Sequence, residues 1–261
     1  MGPAHRAIVS LFIGLLGLAT APAWAQPGPR SIRFDTLRLS DGLLSASVSG
    51  ITQDSSGFMW LSTQAGLNRF DGYGMRSWEN DPFNANSLAN NLIQTVYRDS
   101  DDTLWLGTYG GLDHFDPATE TFVHFSMRDG DERSLSNNVV VALTRDADGR
   151  LWVGTLDGLN LLDEETGTFT RYGAGDGGLP DKVVRSLFLD DRGTLWVGTY
   201  GGLSRYDAAT DSFRTIDTEG AAALPSPYVM TIIDDPTDSD RFWVGTWGGG
   251  VSLVDRDAGV I

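Results

Sequence analysis

The sequence predicts an all-β fold, a β-propeller of four-stranded blades, and two observations lead to this prediction. A tryptophan recurs at spacings of 45, 47, 44 and 47 residues, at Trp60, Trp105, Trp152, Trp196 and Trp243. Each of the five copies has a Thr three residues later and a Gly six residues later. A period in the forties with several short strands per unit is typical of propeller blades.

The strands of one unit can be assigned in order along the chain. In residues 183–216 the first strand is VVRSLFLD, and a turn framed by Asp190 and Gly193 follows it. The second strand, LWVG, is continuously apolar, which indicates a strand covered on both faces by neighbouring sheets. Its Gly marks a close approach by another backbone or a bulky ring. A Gly-rich turn then leads to a third strand, GLSRYD, and SFRTI supplies the fourth.

Residues 1–25 are predicted to be a cleaved secretory signal peptide, and residues 26–261 to form the propeller repeats. The first segment has one Arg, an apolar run from Ala7 to Leu18 and an Ala23-x-Ala25 cleavage pattern. Its 12 apolar residues are fewer than the roughly 20 that span a bilayer. The sequence therefore predicts a periplasmic segment that makes no membrane contact of its own.

Composition limits the partners and the chemistry. The absence of cysteine excludes disulfides and thiolate chemistry, so burial alone has to stabilise the exported chain. The net charge is −16, and removal of the signal segment, which contains Arg6 and no acidic residue, makes it −17. Such an acidic surface argues against nucleic acid, anionic lipid and other polyanions as partners, and is compatible with a neutral ligand.

The residues show no catalytic, metal-binding or cofactor-binding constellation. His114 and His124 fall in one predicted hairpin, but no other repeat has a counterpart and two ligands are too few for a metal site. The recurring Asp residues are better explained as turn formers than as the acid pair of a glycosidase. We therefore predict no enzyme, no metal and no cofactor. A propeller-type polysaccharide lyase or glycosidase is the enzymatic alternative.

Variable loop residues on a rigid scaffold are the usual carriers of recognition. The five units differ just after the repeated Thr, and we predict that Gln64, Tyr109, Asp157, Tyr200 and Trp247 lie in similar places around one face and bind a ligand. Aromatic rings beside an amide and a carboxylate suit a sugar or another small polar ligand. Packing between blades is the alternative for Tyr109 and Tyr200, which recur, so Trp247 is the preferred ligand contact.

The patterns V-x-x-I-x-x-D, D-x-x-G-x-L-W-V-G-T and G-L-x-R-Y-D, with the leading SDGLLSASV, resemble the two-component regulator propeller repeat. The resemblance extends from about Ile32 to Gly259. It implies a seven-bladed propeller, of which the five copies are an incomplete part. The alternative is a closed five-bladed propeller in which SIRFDTL supplies the missing outer strand of the last blade.

The resemblance also implies a function. Members of this family are periplasmic sensors anchored in the inner membrane, with a hybrid histidine kinase or a diguanylate cyclase as the output. The chain would then be the extracytoplasmic ligand-sensing or interaction propeller of such a signal-transduction protein, dimerising through the parent protein. A freestanding periplasmic scaffold for protein interactions is the alternative.

Overall fold

The computed structural model of the protein describes residues 34–216, 223–257 and 259–260. In these ranges 20 strands form five antiparallel sheets of four strands each, preceded by one 3-10 turn, Leu39–Asp41. All the strands belong to one compact unit, residues 37–261. The predicted signal peptide, residues 1–25, lies outside the described residues.

Each sheet consists of four strands that are consecutive in the sequence. The first blade contains β1 (Val48–Gln53), β2 (Met59–Thr63), β3 (Gly66–Phe70) and β4 (Met75–Trp78). The second contains β5 (Ile93–Arg98), β6 (Leu104–Thr108), β7 (Gly111–Asp116) and β8 (Thr121–Phe125). The third contains β9 (Val140–Arg145), β10 (Leu151–Thr155), β11 (Gly158–Asp163) and β12 (Thr168–Tyr172). The fourth contains β13 (Val184–Leu189), β14 (Leu195–Thr199), β15 (Gly202–Asp207) and β16 (Ser212–Thr215), and the fifth contains β17 (Val229–Asp234), β18 (Arg241–Thr246), β19 (Gly250–Asp255) and β20 (Gly259–Val260).

The first strands of the five blades lie next to one another at a common inner edge. β1 contacts β5, β5 contacts β9, β9 contacts β13 and β13 contacts β17. Within its own sheet each first strand pairs only with the second strand. Sheets that stand side by side with their first strands together are the blades of a propeller, which confirms the predicted fold class.

The repeated tryptophan forms the centre of each interface between blades. Trp60 packs in one cluster with Ile93, Leu104 and Phe115 of the second blade. The next three tryptophans pack in the same way against the third, fourth and fifth blades. These four tryptophans are at most 2% exposed. A side chain of this kind buries roughly 200 Å², which at about 25 cal/mol/Å² corresponds to a gross stabilisation on the order of 5 kcal/mol.

A hairpin Asp holds each of these four tryptophans in place. The indole N–H donates to the Asp Oδ2 at 2.8–3.2 Å, in the pairs Trp60–Asp54, Trp105–Asp99, Trp152–Asp146 and Trp196–Asp190. In the first, third and fourth blades Oδ1 of the same Asp accepts two backbone N–H groups of its own turn. The interpretation of these residues as turn formers is therefore correct, and they also orient the interface.

The second-strand glycine marks a close approach, as the sequence predicts, but the neighbour from the next blade is a valine and not a bulky ring. A Cβ added at Gly198 would lie 2.5 Å from Cγ1 of Val229, and the glycines of the second and third blades face valines in the same way. The first blade has Ser62 at this position, and its cross-strand partner is Gly50, where the other blades have a side chain. In the first blade the glycine therefore lies on the first strand and the larger residue on the second, so this pair of positions has a similar combined volume in both arrangements.

The fourth strand of the fifth blade comes from the C-terminal residues of this chain. β20 pairs with Val254 and Asp255 of β19, whereas residues 34–37, the described part of SIRFDTL, form no strand. Among the described residues, the N-terminal strand that the closed five-bladed alternative requires is therefore not observed.

The outer face of the fifth blade is apolar and open. Ile233 and Val251 are 58% and 66% exposed. Trp243, the counterpart of the four buried tryptophans, is only partly buried and has Ile233 and Leu253 as its cross-strand neighbours.

The substitution Gly198→Ala is expected to lower the free energy of unfolding by about 1–3 kcal/mol, because the new methyl group would overpack the interface between the fourth and fifth blades. Urea unfolding followed by tryptophan fluorescence measures this. Gly74→Ala is the control, since a Cβ at Gly74 meets nothing within 4 Å and its φ is not positive. Equal stability of the two variants would contradict the packing account.

We expect the chain to self-associate through the outer face of the fifth blade, and Ile233→Lys to reduce this association by placing a charge on the apolar face. Size-exclusion chromatography with light scattering over a range of protein concentrations tests this. Val123→Lys, a substitution at another exposed strand residue, is the matched control. A compact monomer at all concentrations would show that the open face does not mediate association.

Candidate functional site

The turns between the second and third strands lie beside the residues that precede the first strands. In every blade the residue after the repeated Thr donates its backbone N–H to the carbonyl of the residue just before the first strand, at 2.9–3.2 Å. The pairs are Gln64 with Ser47, Tyr109 with Leu92, Leu156 with Val139, Tyr200 with Val183 and Trp247 with Tyr228. The repeated Thr closes each turn by donating its hydroxyl to a glycine carbonyl at 2.8–3.2 Å.

One assignment made from the sequence is corrected by these hydrogen bonds. In the third blade the residue equivalent to Tyr109 and Tyr200 is Leu156, and Asp157 lies one position later, where its carboxylate pairs with Lys182 at 3.3 Å. The error arises because residue counting does not show which backbone groups close a turn. In the fifth blade, whose turn has one extra glycine, the Thr hydroxyl donates to Gly250.

Tyr200 and Trp247 are brought together at one cavity. With Tyr228 and Met230 they line a space of about 220 Å³ across the seam between the fourth and fifth blades. The rings of Tyr200 and Tyr228 are nearly perpendicular, at 87°, with centroids 5.4 Å apart. Trp247 is 70% exposed. The described lining contains no charged side chain, so the cavity can contact a ligand through ring faces, two phenol hydroxyls and one indole N–H.

The other predicted contacts do not line this cavity. Gln64, Tyr109 and Asp157 are exposed on the turns of the first three blades. Sequence reasoning missed Tyr228 and Met230. The missed signal is at the position before the first strand, which is Ser47, Leu92, Val139 and Val183 in the other units and aromatic only in the fifth.

The connection between the first two blades, residues 79–92, lies beside the Tyr109 turn and is held by a buried carboxylate. Asp113, which is fully buried, accepts the backbone N–H of Ala89 at 2.8 Å and contacts Nδ1 of His124 at 2.8 Å. Nε2 of His124 lies 3.0 Å from the carbonyl oxygen of Ala85. Both partners of the imidazole are acceptors, so only the protonated ring satisfies both. The hydrogen bond to Asp113 raises the pKa of His124.

In the first and third blades a neutral asparagine takes the place of Asp113 and holds the segment before the blade. Asn68 accepts the N–H of Leu44 at 3.2 Å, and Asn160 accepts the N–H of Ser136 at 2.9 Å. His114, next to Asp113, points to the opposite face, where it stacks on Trp105 at 4.2 Å, and its burial lowers its pKa. The two histidines therefore diverge and do not form one site.

A second cavity, of about 420 Å³, lies near the hairpin turns of the third and fourth blades. Asp146, Asp148 and Arg150 contribute to its lining. The Asp146 carboxylate is already bonded to Trp152, to Arg150 and to its own turn. The Asp146 carboxylate therefore has a structural role in this turn.

Three stretches of the chain, residues 87–110, 134–157 and 178–201, match the family model of the two component regulator propeller. Each stretch contains the connection before a blade, its first strand, its second strand and the following turn. The matched segments thus include the Trp–Asp pair, the repeated Thr and the turn residues Tyr109, Leu156 and Tyr200. In the described part of the chain no helix is long and apolar enough to cross a membrane.

The chain is similar to two extracellular domains from B. thetaiotaomicron. The domain of BT3049, assigned to the hybrid two component systems, is 26% identical with a TM-score of 0.57, and the match covers 87% of this chain and 36% of that domain. The domain of BT4673, assigned to the one component systems, is 21% identical with a TM-score of 0.68 and is covered to 33%. The chain thus spans about a third of the length of these domains.

Two further similarities concern a short stretch of sequence and the fold. A 56-residue stretch, 22% of this chain, is 38% identical to histidine kinase P4 of Formosa agariphila, of which it covers 4%. A virginiamycin B lyase from Staphylococcus aureus, an enzyme, is 12% identical with a TM-score of 0.55, which shows the shared fold alone.

The fold and the repeated interfaces define a β-propeller similar to an extracellular domain assigned to a hybrid two component system. Its second, third and fourth blades contain stretches that match the two component regulator propeller, as the resemblance of the sequence predicts.

The histidines are expected to give opposite pH dependences. His124 has a raised pKa in the folded protein, so its stabilising contribution is complete below about pH 6.5 and is lost as the pH rises through the raised value. His114 has a lowered pKa, so its contribution is complete above about pH 6.5 and is lost as the pH falls through the lowered value.

Urea unfolding of the wild type, His124→Gln and His114→Gln between pH 5 and pH 8 measures these contributions. The stability lost on substitution should decrease with rising pH for His124→Gln and increase with rising pH for His114→Gln. The same pH trend in both variants would show that the two environments do not differ as described.

Proposed function

We propose that the chain is the extracytoplasmic ligand-sensing propeller of a membrane-anchored signal-transduction protein of the two-component or cyclic-di-GMP type. Residues 1–25 direct export to the periplasm and are cleaved. The parent protein is anchored in the inner membrane, dimerises, and carries a histidine kinase or diguanylate cyclase output in a part of the polypeptide other than residues 1–261.

The similarities support this proposal. The repeats match the two component regulator propeller model, and the protein with 26% identity is an extracellular domain assigned to a hybrid two component system. A short stretch is also similar to a histidine kinase. Because the chain spans about a third of the extracellular domains, the sensing unit of the parent protein is larger than these five blades.

The observation that carries the proposal is the aromatic cavity between the fourth and fifth blades. In the four closed interfaces the repeated tryptophans are buried, whereas Trp247 is 70% exposed beside two further exposed rings. Concave aromatic surfaces with a few polar groups are typical of small-ligand sites. The ligand we propose is a sugar or another small polar molecule, and it would contact both blades at once.

Contact with two blades gives a physical route from binding to signalling. Tyr200 belongs to the fourth blade, and Tyr228, Met230 and Trp247 belong to the fifth. A ligand between them therefore favours one spacing of the two blades over others. In the proposed mechanism, a dimeric parent protein transmits this change in blade spacing to its output domain.

Two alternatives make different use of the same surface. A freestanding scaffold for protein interactions would use the exposed turns without a small ligand. A propeller-type polysaccharide lyase or glycosidase would need acids and bases grouped in a cleft. The described carboxylates of the hairpin turns are bonded to backbone and indole N–H groups, and the two described histidines face opposite ways, which favours the non-enzymatic proposal.

A panel of neutral mono- and disaccharides and small carboxylates, titrated against dilute full chain and followed by tryptophan fluorescence, tests ligand binding. We expect at least one compound to bind, and Trp247→Ala to weaken its binding by at least about 10-fold, because an aromatic contact of this size is worth more than 1.4 kcal/mol.

Tyr109→Ala is the matched control, because Tyr109 is equivalent to Trp247 in its own blade, is exposed and lies away from the cavity. It should leave binding unchanged. If Trp247→Ala leaves binding unchanged, the ligand site lies elsewhere on the protein. If no compound binds and the chain instead captures a folded protein partner through the turns, the scaffold is favoured.

A further inference from the structure

Residues 81–86, in the connection between the first two blades, are attached to β8 by hydrogen bonds. All of these residues are exposed, so burial of apolar surface does not hold them on the blade. Nε2 of His124 on β8 lies 3.0 Å from the carbonyl oxygen of Ala85. The backbone N–H of Phe122, on the same strand, donates to the carbonyl of Asn86 at 3.2 Å. The attachment to β8 therefore involves one titratable side chain and one backbone group.

The third blade attaches the corresponding stretch of its own connection, residues 128–133, in the same way. Phe169 on β12 donates its backbone N–H to the carbonyl of Arg133 at 2.8 Å and is the counterpart of Phe122. Arg171, two residues later, occupies the position of His124, because each lies opposite the buried polar residue of the third strand. The two blades thus differ in the side chain that holds the connection.

In the third blade this side chain is a permanent cation. Nε of Arg171 donates to the carbonyl of Ser134 at 2.7 Å, and its guanidinium also donates to the carbonyls of Asp131 and Leu135 at 2.8 and 3.0 Å. A guanidinium does not lose its proton in proteins. The attachment of the third connection is therefore independent of pH.

In the second blade His124 makes the equivalent contact only while the ring is protonated. Nδ1 lies 2.8 Å from the carboxylate of Asp113, which is fully buried. A neutral imidazole has a proton on one nitrogen only, and the negative carboxylate favours Nδ1. Nε2 then turns a lone pair toward the carbonyl oxygen of Ala85. Because two acceptors repel each other at this distance, loss of the proton changes the contact from attractive to repulsive.

The charged groups on the elements around His124 are Asp113 on β7, Glu79 and Asp81 in the same connection, and Arg128 and Asp131 in the next connection, where Arg128 lines a small cavity with His124. Asp81 accepts a backbone N–H of its own turn at 2.9 Å, and Arg128 pairs with Asp131 at 3.0 Å. The hydrogen bond from Asp113 raises the pKa of His124, so the local charges favour the protonated ring.

We propose that residues 81–86 are a pH-responsive segment, held on the second blade while His124 is protonated and released when the ring is neutral. The corresponding stretch of the third blade stays attached at every pH through Arg171. A rise in pH therefore changes the exposed surface in the connection beside the Tyr109 turn and leaves the equivalent surface of the next blade as it is. The segment responds in this way whether or not the aromatic cavity binds a ligand.

The backbone N–H groups of Phe122 and Phe169 report on the two attachments, since each donates to its own connection. Residue-resolved hydrogen exchange of the dilute full chain between pH 5 and pH 8, expressed relative to the intrinsic rate at each pH, measures both. Protection of Phe122 should be complete below about pH 6.5 and should fall as the pH rises through the raised pKa of His124. We expect a fall of about 10-fold or more, as for the loss of one hydrogen bond from a charged donor. Protection of Phe169 should stay constant.

Three variants assign the response to the imidazole of His124. His124→Gln, which is neutral throughout, should give low protection of Phe122 at every pH. His124→Arg, a permanent cation like Arg171, should keep this protection high at every pH. His114→Gln is the matched control, because His114 lies in the same hairpin and points to the opposite face. It should leave the pH response of Phe122 intact.

The proposal is overturned if Phe122 and Phe169 respond equally to pH, or if the response of Phe122 survives in His124→Gln. High protection of Phe122 up to pH 8 in the wild type also overturns it, because the neutral ring would then hold the segment. If His124→Gln lowers the protection of Phe169 as well, the variant has lost more than this attachment and His124→Arg decides. A pH response of Phe122 that persists in His124→Arg contradicts the proposal.

Discussion

The structure depends on the insertion of one indole from each of the first four blades into the following blade. A four-stranded sheet with two apolar faces cannot be stable alone, and each tryptophan joins its own sheet to the core of its neighbour. The hydrogen bond from the indole N–H to the hairpin Asp satisfies the one polar group of this side chain at the edge of the interface. Because that Asp also closes its own turn in three of the four blades, local turn geometry and packing between blades are set by the same carboxylate.

The glycine of the second strand is the complement of this insertion. The indole fills space between two sheets, and the glycine lets the sheets approach where a valine of the next blade crosses. The Ser62 and Gly50 pair of the first blade shows that the requirement concerns combined volume. Either strand can supply the small residue as long as the other supplies the larger one.

Much of this architecture follows from the sequence, because it is repeated. Five copies of the Trp, Thr and Gly positions predict five blades, the strand order and the turn-forming role of the hairpin Asp, but not its hydrogen bond to the indole. In the connections before the second and third blades, Asn90 and Asn137 are turn formers as well, since the side chain of each accepts the backbone N–H of the residue two positions later. Repetition is informative because a position that recurs serves the contact between neighbouring blades.

The candidate site could be predicted from the sequence only in part, because some of its residues do not recur in other blades. Tyr200 and Trp247 can be singled out, but Tyr228 and Met230 have no aromatic or thioether counterparts in other units, and alignment of the repeats hides them. Asp157 is misplaced by residue counting because the turn is closed by a hydrogen bond that counting cannot show. The His124 and Asp113 pair is also hidden, since its counterparts in two other blades are plain asparagines.

The turn after the repeated Thr has a consequence for how such a protein changes over evolutionary time. Its conformation is held by the Thr hydroxyl and by a backbone N–H, so it does not depend on which side chain follows the Thr. The five blades use this freedom, since the residues at this position are Gln64, Tyr109, Leu156, Tyr200 and Trp247. A lineage can therefore change the side chains on this face of the propeller one blade at a time, while the turns and the interfaces between blades stay the same.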